Sequence, residues 1–404
     1  MPSAEESVQA EGARGRVLCV VHYPHFGGPH NKTIRLQEAL RRRGWETTVA
    51  IPAEPGTAAT RLQAAGVDLE LLPLGRLRAS PDPRLALRYV REFRSGVKAL
   101  EEAIERTGAS VVQIGGLANP HAAFAARRRG AAVVWQIVDS RGPGLLRGGA
   151  MALVRRYADA VMFNGETLLE LHGGESLSAP TFVYYPPVDT ERFVPSRDRG
   201  QRIRAELGIP PDAPLVGTVS VISPLKGLDT FLEAAARIAA ERPDARFAVV
   251  GAAPESHSDY AAGLRQQAQA LSLPHPVVFT GERSDVEDWY AAFDVALTTS
   301  RSEGTTTTLL EAQSCGTPVV ATRVGAVAEV VEDGTTGLLV EPGSAESVAS
   351  AVLQLLGDDE LRARMGAPGR EAAVARFGIE SCSDVHAQAY EAAVRHAETR
   401  KSRG

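Results

Sequence analysis

VLCVVHYPHFGGPHNKTIRLQEALRRRGWETTVAIP, residues 17–52, shows in one unit the organisation that the rest of the chain repeats. A β-branched apolar run from Val17 to Pro24 stops at glycines, a helical pattern follows from Thr33 to Arg43, and a second apolar run ends at Pro52. Strand, helix and strand in that order begin a parallel sheet, since parallel neighbours need a crossover between them. The alternation continues through VDLELLPL (67–74), an amphipathic helix near Leu85 to Arg106, SVVQIGG (110–116), a helix over Ala122 to Arg129, AAVVWQIVD (131–139) and ADAVMFNG (158–165). Strands this apolar are covered on both faces. A proline-rich and charge-rich stretch, PPVDTERFVPSRDRG and then PPDAP, breaks the rhythm, and LVGTVSVI (215–222) restarts it. The expected architecture is α/β with two Rossmann-like, doubly wound domains. A tail over 1–15 is expected to be disordered, followed by a first domain over 16–187, a linker over 188–213, a second domain over 214–376 and a C-terminal segment over 377–404.

Composition agrees. A chain of 404 residues suits two domains with a core each. Hydrophobic content of 44%, charged content of 23% and a net charge of −5 exclude a disordered, collagenous or membrane-embedded chain and imply no general affinity for nucleic acid. Cys19, Cys315 and Cys382 show no paired spacing, so neither a disulfide framework nor a zinc site is expected. Glu5, Glu6 and Glu11 stand where a targeting signal would be basic, and the cytoplasm is the expected compartment.

The chemistry concentrates in SRSEGTTTTLLEAQSCGTPVVAT, Ser300 to Thr322. Four consecutive threonines suit a helix start better than a helix interior, because β-branching disfavours the interior and hydroxyls can cap free backbone N–H groups. A helix N-terminus offers unpaired donors and partial positive charge to phosphate or sugar oxygens. Glu303 just before that start and Glu311 two turns inside could accept hydrogen bonds from sugar hydroxyls, or be a capping and a solvated carboxylate.

The spacing E-G-x6-E, followed by A-x-x-C-G-T-P-V-V-A and by GAVAEVVEDGTTGLLVEPGSAESVASAV, resembles the retaining family-4 glycosyltransferases of the GT-B fold, glycosyl transferases group 1. The likeness covers most of Leu215 to Leu356. It implies transfer of a sugar from a nucleotide diphosphate donor held by the second domain to an acceptor held by the first, across a cleft, with the C-terminal helix (Ser383 to His396) returning to the first domain. On matching positions, Glu303 meets the donor sugar, Gly304, Thr305, Thr306 and Thr307 hold hydroxyls and phosphate, and Glu311 binds the ribose. The loop Ser220 to Gly227 retains Lys226 beside Ser223, and an ammonium there would stabilise the departing diphosphate without a metal. Val221 occupies the place of the usual arginine, and no D-x-D triplet occurs. The resemblance therefore implies no metal and no cofactor besides the nucleotide sugar. Arg283 would flank the nucleobase, or be an exposed loop arginine.

In the first half, Gly27 and Gly28 lie between strand and helix, where the family covers the donor phosphates and borders the acceptor. His22, His25, His30, Asn31 and Lys32 cluster there and are read as polar contacts to a small-molecule or glycan acceptor rather than as metal ligands. Where relatives carry T-x-H-D, this chain has Gln136 and Val138-Asp139, and Gln113 and Gly115 replace the frequent histidines of the preceding strand, leaving His121 as the nearest imidazole. Asp139 is expected either to serve in acceptor binding or proton acceptance, or to cap the next helix. Arg76, Arg78, Arg84, Arg88, Arg91, Arg94 and Lys98 read as a solvated helix face, with contact to an anionic membrane as the alternative. Two rival functions stay open, a nucleotide-sugar 2-epimerase and a non-catalytic sugar-nucleotide-binding partner protein.

Overall fold

A computed structural model of the chain describes residues 15–75, 83–117, 119–138, 144–304 and 306–403. They form two compact units, one running up to Pro187 and resuming at Ile379, the other Val188–Gly378. The first runs β1 (Gly15–Val20), α1 (Gly28–Arg42), β2 (Trp45–Pro52), α2 (Ala58–Ala64), β3 (Asp68–Leu72), α3 (Pro83–Thr107), β4 (Val111–Gly115), α4 (Pro120–Arg129), β5 (Ala132–Ile137), α5 (Gly144–Tyr157), β6 (Ala160–Asn164), α6 (Glu166–Leu171) and β7 (Thr181–Tyr184). Its strands pair in parallel in the order β3-β2-β1-β4-β5-β6-β7. Successive residues of β1 explain the two covered faces: Leu18 and Val20 join one core cluster with Ile114 and Trp135, while Val17 and Cys19 join another with Leu36 of α1.

The second unit runs α7 (Arg197–Glu206), β8 (Leu215–Val219), α8 (Leu228–Glu241), β9 (Arg246–Val250), α9 (Ser258–Ala270), β10 (Val278–Gly281), α10 (Val286–Ala292), β11 (Val295–Thr298), α11 (Thr307–Ser314), β12 (Val319–Thr322), α12 (Val327–Val330), β13 (Gly337–Val340), α13 (Ala345–Leu356) and α14 (Asp359–Phe377). Its sheet is also parallel, ordered β10-β9-β8-β11-β12-β13. The strand order reverses beside β1 and β4 in the first unit and beside β8 and β11 in the second. Open α/β sheets bind ligands at the carboxyl ends of such strand pairs.

Three expectations change. Helix α1 begins at Gly28 rather than Thr33, because Pro29 in the first turn sacrifices an N–H that has no helical partner anyway. The expected linker 188–213 is part of the second unit, where α7 lies against α10. Gly200 permits that approach, since a Cβ there would stand 2.3 Å from the Ala291 carbonyl oxygen, and Arg204 fastens α7 by donating to the Ala292 carbonyl (2.8 Å) and to Asp294 (2.6 Å). The C-terminal helix α15 (Ile379–Arg403) is longer than expected, while, as expected, it belongs to the first unit, lying against α1, β5, β6 and β7. Its far end is anchored on buried Asp159, which accepts from Arg400 (3.2 Å) and lies 3.2 Å from the His396 ring. All three cysteines are free and buried. Residues 1–14 of the expected tail, with Arg76 and Arg78 of the expected basic face, lie outside the described residues, while Arg94 and Lys98 are exposed. No helix among the described residues is long and apolar enough to cross a membrane.

Candidate active site

At the carboxyl end of β8 the chain makes a short turn, Pro224–Lys226, and enters α8 through Gly227 at φ 60°. At the end of β11 it makes a second loop, 299–304. Thr299 joins the two: its hydroxyl donates to the carbonyls of Lys226 (3.1 Å) and Gly227 (2.9 Å), and a Cβ on Gly227 would stand 2.1 Å from its carbonyl oxygen. This close approach needs glycine. It brings the Lys226 ammonium 2.6 Å from Glu303 Oε1, to which the Ser300 hydroxyl also donates at 2.5 Å. A third loop, after β12, closes on the same point, for Thr322 donates to the Ser300 carbonyl (2.6 Å) and Gly325 lies so near the Glu303 carbonyl that a Cβ would meet it at 1.9 Å. A lysine and a carboxylate are thus paired at the strand-order reversal, with Lys226 25% and Glu303 11% exposed.

Helix α11 starts beside this pair. Thr306 is its N-cap but makes no side-chain cap bond; its hydroxyl is buried and has no hydrogen-bond partner among the described residues. Glu311 is not the solvated residue of the bland alternative. It is 7% exposed, and its charge helps burial to push the Cys315 thiol up to about 12 and helps Glu287 to raise the Arg192 guanidinium. Ser223 accepts the backbone N–H of Lys226 at 3.0 Å, which makes the turn. Val221 is 54% exposed. Arg283 is not simply an exposed loop arginine: it pairs with Asp285 (2.7 Å) and Glu206 (3.1 Å) and lies over the Trp289 ring, so it shapes its loop.

In the first unit the structure separates residues that the sequence placed together. His25 is exposed, Asn31 is half-buried, and among the described residues a Cβ on Gly27 or Gly28 would meet nothing within 4 Å, so this loop has an open face there. His30 turns inward. It is fully buried, its Nδ1 accepts from the Gly27 N–H (3.2 Å) and its Nε2 donates to the Tyr23 carbonyl (3.0 Å), and burial lowers its pKa. Both nitrogens serve the loop itself, which removes His30 from the acceptor contacts. Lys32 also turns inward, donating to Gln136 Oε1 with its ammonium 4.9 Å from the Tyr184 ring centre. Gln136 in turn donates to His386 of α15 (2.9 Å), so the lysine braces α1 against sheet and C-terminal helix instead of meeting an acceptor. His121 is buried beside Phe93, and burial with neighbouring His22 brings its pKa down to about 4. Its Nε2 and the Oδ1 of Asn119, both buried, have no hydrogen-bond partner among the described residues, and Asn119 Nδ2 lies 3.3 Å from His22 Nδ1.

Asp139 and Thr305 lie outside the described residues. Sequence reading overlooked Asn119, Ser300 and the bracing role of Gln136; the Asn-Pro pair at 119–120 is a helix-start signal that could have marked the first. Among the described residues no group of three or more His, Cys, Asp or Glu could hold a metal ion.

The model for glycosyl transferases group 1 matches residues 200–372, and that for a glycosyl transferase 4-like domain matches residues 27–172. The lipopolysaccharide core biosynthesis mannosyltransferase LpsB of Rhizobium meliloti (strain 1021) is 30% identical over 250 residues, 61% of this chain and 69% of that protein. The chain belongs to the glycosyl transferases group 1. A D-inositol 3-phosphate glycosyltransferase 2 from Catenulispora acidiphila is 37% identical to this group 1 glycosyltransferase over 229 residues, and the chain spans about half of that relative, 52%. The crystal structure of Anabaena Alr3699/HepE in complex with UDP superposes with a TM-score of 0.79 at 24% identity, covering 92% of this glycosyltransferase and 98% of that chain. Sucrose-phosphate synthase from Thermosynechococcus elongatus gives 0.73 at 21% identity, covering 94% and 98%. The fold is GT-B.

Proposed function

We propose that this glycosyltransferase moves a sugar from a nucleotide diphosphate sugar to an acceptor hydroxyl with retention at the anomeric carbon and without a metal. The observation that carries the reading is the Lys226–Glu303 pair at the β8/β11 reversal, next to an α11 N-terminus whose buried Thr306 hydroxyl has no hydrogen-bond partner among the described residues. In this reading Lys226 and the N–H groups of α11 stabilise the negative charge that grows on the departing diphosphate. Glu303, already anchored by Ser300, accepts from hydroxyls of the transferred sugar, and Glu311 accepts from the ribose. The acceptor attacks from the face the diphosphate leaves, and its proton passes to a phosphate oxygen, so no protein base is required. The open loop with His25 and Asn31, and the group His22, Asn119 and His121 at the β1/β4 reversal, are the first unit's candidates for holding the acceptor. The UDP complex of Anabaena Alr3699/HepE supports a nucleotide donor.

Thermal shift with UDP and with GDP, on the wild type and on Glu311→Ala, tests this. One nucleotide should raise the melting temperature, by about 2.7 kcal/mol of stabilisation at a hundredfold excess over Kd. The substitution should remove the shift, and excess EDTA should leave it unchanged. No shift at millimolar nucleotide, or a shift abolished by EDTA, would overturn the reading.

A further inference from the structure

Lys226 is the only basic side chain between Val219 and Leu228, so whatever aims it controls the positive charge of that loop. Its own turn is short, and although Ile222 is buried in the core, Val221 and Leu225 beside it are exposed (54% and 44%). Two residues of the 299–304 loop fasten the turn: Thr299, through the Lys226 and Gly227 carbonyls, and Arg301. The Arg301 backbone N–H donates to the Leu225 carbonyl (2.8 Å), its Nη1 donates to the Pro224 carbonyl (2.9 Å), and its Nη2 pairs with Asp229 in the first turn of α8. One side chain therefore ties the start of the Lys226 turn to the first turn of α8, from the loop that carries Glu303. A guanidinium suits this because its planar fork serves a carbonyl and a carboxylate at once, which an ammonium on a flexible stem does not hold in one plane.

We infer that Arg301 is a positioning residue that acts through Lys226, holding the 224–226 turn so that the ammonium meets the donor diphosphate. The inference rests on the proposed role of Lys226. Asp229 already balances the charge of Arg301, and the residue touches the turn's carbonyls, so its effect on a bound diphosphate passes through the lysine.

A double-mutant cycle separates this from an independent phosphate contact. Affinity for UDP or GDP, whichever shifts the wild type, is measured by titration calorimetry for the wild type, Arg301→Ala, Lys226→Ala and the double variant, with melting temperatures as the control for folding. Lys226→Ala should weaken binding at least about tenfold, and Arg301→Ala about five- to twentyfold when Lys226 is present but less than about twofold when it is absent. Arg301→Lys, which keeps the charge and loses the fork, should behave closer to Ala than to the wild type and also guards against a misfolded Ala variant. Equal losses from Arg301→Ala in both backgrounds, or full rescue by lysine, would overturn the inference while leaving the donor site intact. An unchanged affinity in Lys226→Ala would overturn the reading of the lysine, and the inference with it.

Discussion

Lys32 is a side chain whose place in the fold carries a measurable cost. Burial brings its ammonium from 10.5 down to about 8, even with Gln136 and the Tyr184 ring beside it. Between about pH 8 and 10.5 the folded protein has released this proton while the unfolded chain still holds it, so folding stability rises with pH across that window. The stability difference between wild type and Lys32→Met should therefore grow in favour of the wild type by about 2–3 kcal/mol from pH 7 to 10.5 in urea unfolding. Equal pH slopes for the two proteins would place the ammonium in water. The residue scale also shows where sequence reading stops: His25 and His30 are five positions apart in one polar run, yet one is exposed and the other spends both nitrogens on its own loop. Polarity is written in the residue type; direction is not.

Among the elements, α7 and α9 make a matched pair of glycine tests. Gly200 in α7 has the Ala291 carbonyl where a methyl would go, whereas Gly263 in α9 has nothing within 4 Å among the described residues. Gly200→Ala should destabilise the protein by about 1–3 kcal/mol through overpacking. Gly263→Ala should stabilise it by about 0.5–1 kcal/mol, because alanine loses less backbone freedom on entering a helix. Chemical denaturation of both variants checks the opposite signs, and a neutral Gly200→Ala would mean that α7 does not rest on α10. That contact is why the proline-rich stretch reads as a linker and folds as part of the second unit: a ten-residue helix with charged faces lacks a strong apolar stripe, and its attachment comes from Arg204, Arg202 and the missing Cβ of Gly200. At α15, Asp159→Ala would leave Arg400 and Arg127 without their buried carboxylate, and the melting temperature should fall by several degrees.

For the whole molecule, each unit has its own sheet and core, and the donor site proposed here is built from the second unit alone. Hydrogen exchange with and without saturating nucleotide should show its strongest protection in peptides spanning 220–227 and 299–311, with the α3 and α4 helices of the first unit unchanged. Protection confined to the first unit would overturn that assignment. What could be read from the order of residues was the alternation of strand and helix, the two halves and the identity of Lys226, Glu303 and Glu311, because apolar runs, helix periods and a motif of fixed spacing are local patterns. Folding supplied the rest. Lys226 and Glu303 are 77 positions apart and meet only because the order of strands reverses between β8 and β11, and Lys32 is drawn away from any acceptor because Gln136 of β5 and His386 of α15 converge on it. Such contacts depend on strand order and on which face each helix buries, and those are properties of packing between distant segments rather than of any short stretch of chain.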